Sequence, residues 1–258
     1  MEIFDWEGGI LIQVRNKKAG IIVPSSNTVL EPIVNRISQI VRLDVHYTRI
    51  SVSQVDVSDQ SKNQFALSQF LQAARLLAEA EVDVIAWGGT SGGWLGQQWD
   101  QHLCNMIFEE TGIPSITATW ALISAFQAYQ CKKIGLFVPY IESLVEPIMK
   151  NFSEAGFPVT SEVHLNLTAN TSIAQIDGAV IRASLAELSR GCEAVSAFCT
   201  NLAAAIYVEE IEKQCNVIIF DSVLLLMWAL CQSAGIRDSI SGWGRLLYEN
   251  PPLPDTNS

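Results

Sequence analysis

The 258-residue sequence has six cysteines but no CxxC pair, and no Cys/His set at zinc spacing. Neither a dithiol redox motif nor a structural zinc site is therefore written into it. It lacks GxxxxGK(S/T), a GxGxxG turn after a strand, and HExxH, so nucleotide, nicotinamide and metal chemistry have no motif to rest on. The expectation is no metal and no cofactor. Charge is scarce: charged residues make up 17%, and 27 acidic against 16 basic side chains leave a net charge of −11. Nucleic acid is excluded as a partner, because phosphate backbones need clustered cations. A small anion is not, since backbone N–H groups alone can hold one. Apolar runs such as Val223–Leu230 are too short to cross a bilayer, so no membrane partner is expected. Met1–Gly9 is acidic, with no basic segment ahead of an apolar stretch, which points to a cytoplasmic protein with reduced thiols. Of the three histidines, His102 and His164 read as surface, and His46, at the end of a strand-like run, as surface or packing rather than a cleft residue.

What the chain does have is a hydrophobic content of 49%, enough for a well-buried core, and an internal repeat. Lys17–Pro24 (KKAGIIVP) falls on Lys132–Pro139 (KKIGLFVP), and Glu31-Pro32-Ile33 falls on Glu146-Pro147-Ile148. Val84–Ser91 (VIAWGGTS) falls in the same way on Ala194–Asn201 (AVSAFCTN). Ordered self-similarity at two places is the mark of a duplication. Each copy is an apolar strand running into a small polar turn. Helical spacing over Asn63–Ala80 and Gly178–Ser189, with strand-like runs at Val41–Tyr47 and Val217–Phe220, completes an alternating pattern. The predicted fold is α/β: two pseudo-symmetric, doubly wound parallel-sheet domains with the active site between them. The first half takes residues 1–118 plus 221–258 and the second 119–220. Trp6–Gln13 reads as a loose extension and Asn250–Ser258 as a frayed end.

Ligands in such sheets bind at the carboxyl ends of the strands. The turns at Pro24, Ser25 and Asn27, at Gly89, Thr90 and Ser91, at Tyr140, and at Cys199, Thr200 and Asn201 should therefore converge on one cleft. Gly88–Gly93 (GGTSGG) entering a helix would present N–H groups to an anion, though a tight turn needing small residues for packing explains it as well. Cys199, at a strand end before a helix, is placed where thiol pKa values are commonly lowered. The other five cysteines read as small buried hydrophobes.

Val23–Thr28 with Glu31-Pro32 resembles the opening motif of maleate cis–trans isomerases. Gly89–Gly92 and Cys199–Leu202 resemble the two half-site motifs of the aspartate/glutamate racemase superfamily, and Gly242–Leu247 (GWGRLL) resembles the closing segment of its maleate isomerase and arylmalonate decarboxylase branch. The resemblance runs from Lys18 to Leu247. It implies one catalytic cysteine per half; here Gly89 stands at the first position and Cys199 at the second, as in arylmalonate decarboxylase. It implies that Tyr140 holds the reacting carboxylate, with Thr90 and Ser91 as further donors, and that Asn27 and Asn170 match asparagines used by the isomerases. The expected reaction is a decarboxylation in which Cys199 protonates an enediolate, one carboxylate lying among those donors and the other against apolar residues such as Trp94 or Val52. Cis–trans isomerization, or a related isomerase or racemase reaction using Cys199, is the alternative, and a non-catalytic carboxylate-binding protein a third reading. The partner is a small carboxylic acid. The seven Trp residues leave aromatic surface for a homo-oligomer as readily as for the core.

Overall fold

The computed structural model describes residues 3–4, 10–11, 16–56, 58 and 63–254. Of the expected extension Trp6–Gln13, Ile10 and Leu11 are described: they form β2 (Ile10–Leu11), which pairs antiparallel with β1 (Ile3–Phe4). The rest of that extension lies outside the described residues.

The first half contains β3 (Lys17–Pro24), α1 (Leu30–Val41), β4 (Leu43–Ile50), α2 (Leu67–Glu79), β5 (Val84–Trp87), α3 (Gly92–Leu95), α4 (Gln97–Thr111), β6 (Ser115–Thr117) and α5 (Ala118–Ala128). The second contains β7 (Ile134–Val138), α6 (Glu142–Glu154), β8 (Val159–His164), α7 (Asn170–Ile173), α8 (Gly178–Ser189), β9 (Ala194–Ala197), α9 (Val208–Cys215) and β10 (Ile218–Asp221). The chain then runs through α10 (Ser222–Ser233) to α11 (Arg245–Glu249). The sheets have orders β4-β3-β5-β6 and β8-β7-β9-β10, all parallel, which is the same winding twice.

The repeat reappears as strand register. Ala19 pairs with Val84 and Ile22 with Trp87 in one sheet, and Ile134 pairs with Ala194 and Phe137 with Ala197 in the other. These are the residues the two sequence offsets superpose. The inner strands β5, β7 and β9 are buried along their whole length, because helices cover both faces. The edge strands β4 and β8 are only partly buried. The winding reverses between β3 and β5 and between β7 and β9, so the crevice of each half opens at the carboxyl ends of those strands.

Two elements depart from the bounds their sequence spacing suggests. The helix predicted over 63–80 begins at Leu67 because Ala66 is extended, and Val41 closes α1 rather than opening a strand. The helices after the last strand of each half, α5 and α10, are apolar on nearly every side and pack against each other, as a helix hydrophobic all round must. Each is capped by the residue that ends its strand: Thr117 accepts from Trp120 N, and Asp221 from Val223 N and Leu224 N. The tail does not fray at its start. Trp228 Nε1 donates to Pro251 O at 2.8 Å, and Asn250 Oδ1 takes Gln232 Nε2 at 2.6 Å. These polar partners hold Asn250 and Pro251 despite the composition of the segment.

Three carboxyl groups are enclosed by this packing. Asp100 and Asp221 are buried, as is Glu212, which accepts from Ile219 N and Arg245 N. Burial pushes all three up to about 7. A raised carboxyl pKa means that the folded state keeps protons the unfolded chain releases above its ordinary 3.8 or 4.5. That contribution is complete at acid pH and is lost as pH rises towards 7. Calorimetry should show a higher Tm at pH 5.5 than at pH 8. Asp221→Asn, which keeps a capping side chain, should flatten the slope.

Candidate active site

The turn after β3 is held from three directions. Ser25 N bonds Ile50 O at 2.8 Å, and Asn27 N bonds Pro24 O at 2.9 Å. The Arg49 guanidinium reaches Ser25 O at 2.9 Å and Asn27 O at 3.0 Å while pairing with Glu31 at 2.6 Å. Asn27 Oδ1 accepts from Val29 N and Leu30 N, both at 3.0 Å, at the start of α1. This fixes the amide with its NH2 group turned away from the helix.

The GGTSGG turn differs from expectation. None of its glycines has a positive φ, so they are there for close approach. A Cβ at Gly89 would overlap the Trp87 indole, one at Gly92 the Asp100 carboxyl, and one at Gly93 the Phe198 ring. The helix that follows, α3, is a single turn, and after Cys199 the chain makes turns before α9 begins at Val208. Anion donors here are individual N–H groups rather than the ends of long helices. Those of Gly89, Thr90, Ser91 and Thr200 have no protein acceptor among the described residues.

The turns meet around a narrow cavity of about 30 Å³. Its polar side is made by Asn27, Thr90, Ser91, Tyr140, Asn170, Cys199 and Thr200, with Pro24 and Gly89 beside them. Its apolar side is Val52, Val55, Phe65, Trp87 and Trp94. Two predicted residues are absent from the lining. Ser25 turns back to Val52, whose N–H donates to Ser25 Oγ at 3.1 Å. Asn201 braces the cleft, accepting from Thr28 N at 3.0 Å and donating to Asn170 O at 2.6 Å. None of the three histidines lines the cavity.

The hydrogen-bond pattern turns the polar side into a set of donors. Ser91 Oγ accepts from Trp87 Nε1 at 3.0 Å, which leaves its own proton free. Thr90 Oγ1 and Tyr140 Oη share one bond of 2.8 Å, and the Tyr140 hydroxyl also bonds Cys199. Asn27 Nδ2 uses one hydrogen on Thr200 Oγ1 at 3.0 Å, and Asn170 Nδ2 one on Ser26 Oγ at 2.8 Å, so each amide keeps a second. The Thr200 hydroxyl itself is used up, since it donates to Gly88 O at 2.8 Å.

Among the described lining residues only Cys199 and Tyr140 titrate. The Cys199 side is not one that lowers a thiol pKa. Burial pushes it up to about 11, with Asp221 adding to the rise; the Tyr140 hydroxyl and the N–H groups of Asn201 and Leu202 offset only part of it. Tyr140 is held well above its ordinary value, mainly by burial and then by the nearby Cys199. Both are proton carriers at neutral pH.

Two copies of one parallel sheet, closed face to face on a single buried thiol among neutral donors, define the class: a duplicated α/β enzyme of the aspartate/glutamate racemase superfamily. The arylmalonate decarboxylase family model matches residues 20–247, and the chain belongs to that family. Maleate isomerase of Pseudomonas putida is 24% identical over 244 residues, spanning 89% of this chain and 96% of its own. Arylmalonate decarboxylase of Bordetella bronchiseptica is 24% identical over 184 residues, spanning 69% and 76%. Among solved structures, a Cys-to-Ser variant of Nocardia farcinica maleate cis–trans isomerase with a covalently bound succinylcysteine superposes with a TM-score of 0.83 at 19% identity, covering 90% of this chain and 98% of that one. The chain is accordingly an enzyme, a lyase or an isomerase, in the branch that holds these relatives.

The raised thiol pKa has a direct readout. Iodoacetamide alkylation of Cys199 should be slow at pH 7 and should still be accelerating near pH 10. A plateau below pH 8 would mean that the thiol is not the neutral donor its surroundings make it.

Proposed function

We propose that the enzyme is a decarboxylase of small malonate-type dicarboxylic acids, with Cys199 protonating the carbanion. The observation that carries this is a single buried thiol in a cavity otherwise lined by neutral groups, with glycine at the position that the internal repeat matches to it. One carboxylate binds among the Gly89–Ser91 N–H groups, the Ser91 hydroxyl and the Thr90–Tyr140 pair. The other lies against Val52, Val55, Phe65 and Trp94, where its charge is poorly solvated and its loss as CO₂ is favoured. The C–C bond breaks, and its electron pair passes into the retained carboxylate to give an enediolate whose oxygens the same donors stabilise. The Cys199 S–H then delivers its proton to the α-carbon, and the thiolate recovers a proton from water. The products are the monocarboxylate, CO₂ and hydroxide.

A second reading is cis–trans isomerization with Cys199 adding to a double bond, favoured by Asn27 and Asn170 both lining the cavity. It needs the thiolate, which is only about 10⁻⁴ of the enzyme at pH 7 for a pKa near 11. The pH dependence therefore separates the two. A thiol donor gives a kcat level across neutral pH that falls as pH approaches 11. A thiolate nucleophile gives a rate rising about tenfold per pH unit over the same range.

Assaying CO₂ release and fumarate formation across malonate and maleate panels decides between them. Cys199→Ala should abolish turnover while a carboxylate ligand still binds, because the anion donors lie on other residues. Ser91→Ala and Tyr140→Phe should each lower kcat about 10²–10³-fold with a smaller effect on KM, as loss of a donor to developing charge does. Full activity in Cys199→Ala would overturn the mechanism.

A further inference from the structure

We propose that Trp87 closes the substrate face opposite Cys199, its indole filling the space that a side chain at position 89 would take. The proposal deepens the one-thiol decarboxylase reading and rests on it for its stereochemical meaning. The two half-sites are size-swapped. Register places Trp87 beside Ile22 where the other sheet places Ala197 beside Phe137. The first half thus has a large side chain at the strand end and none at Gly89; the second has a methyl at Ala197 and the thiol at Cys199. A Cβ on Gly89 would fall on the Cζ2 and Cε2 edge of the indole.

The ring has little freedom to yield. Trp87 is 1% exposed, packs edge-on to Phe70 with centroids 4.8 Å apart, and donates Nε1–H to Ser91 Oγ at 3.0 Å. Because that N–H is committed to Ser91, the indole presents carbon to the cavity and has no proton for a carbanion. It also keeps water out of the volume it fills. An enediolate can be protonated from either side, so Trp87 restricts delivery to the Cys199 side. The same bond leaves the Ser91 proton for the carboxylate, which makes Trp87 a positioning residue as well.

The test is a double-mutant cycle between positions 87 and 89. Gly89→Ala should lower Tm in the parent and leave it unchanged in a Trp87→Ala background, where the space is vacated. Trp87→Leu, which keeps an apolar side chain in the core, runs the same cycle if Trp87→Ala does not fold. The functional arm uses the monocarboxylate product in D₂O. Gly89→Cys alone should not racemize it, whereas Gly89→Cys combined with Trp87→Leu should, since only then can a second thiol face the α-carbon. Equal Tm losses in both backgrounds, or racemization by Gly89→Cys alone, would overturn the proposal. The Tm cycle needs no turnover, so it judges the Trp87 claim even if the wild type releases no CO₂, which would sink the decarboxylase reading instead.

Discussion

Thr200 takes part in both halves of the molecule at once. Its hydroxyl donates to Gly88 O at 2.8 Å and accepts from Asn27 Nδ2 at 3.0 Å, while the next residue, Asn201, links Thr28 N to Asn170 O. Thr200, Asn27 and Asn201 are buried, so each of these bonds contributes about 0.5–1.5 kcal/mol to holding the half-sites together. These bonds set how closely the duplicated strand ends approach. That distance in turn sets the size of the cavity and the burial of Cys199.

The chemistry follows from that burial. With no charged side chain among the described lining residues, bound negative charge must be met by neutral donors. Such donors are most effective where water cannot compete and where they need not reorganise. The same burial holds the Cys199 thiol protonated. Under the proposed decarboxylation, a site that raises the pKa of its thiol while collecting donors for an anion suits proton delivery to carbon.

Much of this was legible in the sequence because the duplication is local: each motif is a contiguous strand and turn, and the offsets between copies reappear as strand register. The cleft residues Asn27, Thr90, Ser91, Tyr140, Asn170 and Cys199 came from that reasoning together with the family resemblance. The contacts made only in three dimensions did not. Asn201 and Thr28 are 173 residues apart in sequence, so nothing in the CTN motif shows that Asn201 braces the cleft rather than lining it. Arg49 straps the first turn from the neighbouring strand, and no spacing rule pairs it with Ser25 and Asn27. The adjacent Trp87 and Gly89 were in plain view, yet that the indole folds over the glycine depends on its rotamer. The place of Cys199 at a strand end before a helix is one where thiol pKa values are commonly lowered, while proton donation requires a thiol; turns follow instead, and burial dominates.

The central claim is that one neutral thiol delivers the proton from one side. It is tested most directly by turning over a prochiral, α-substituted malonate with the wild-type enzyme in D₂O. The account predicts a monocarboxylate with a single α-deuterium and a single configuration, whose α-position exchanges only slowly on further incubation with the enzyme. A racemic product, or rapid racemization of the isolated enantiomer, would show that a second proton donor reaches the opposite face, and would contradict it.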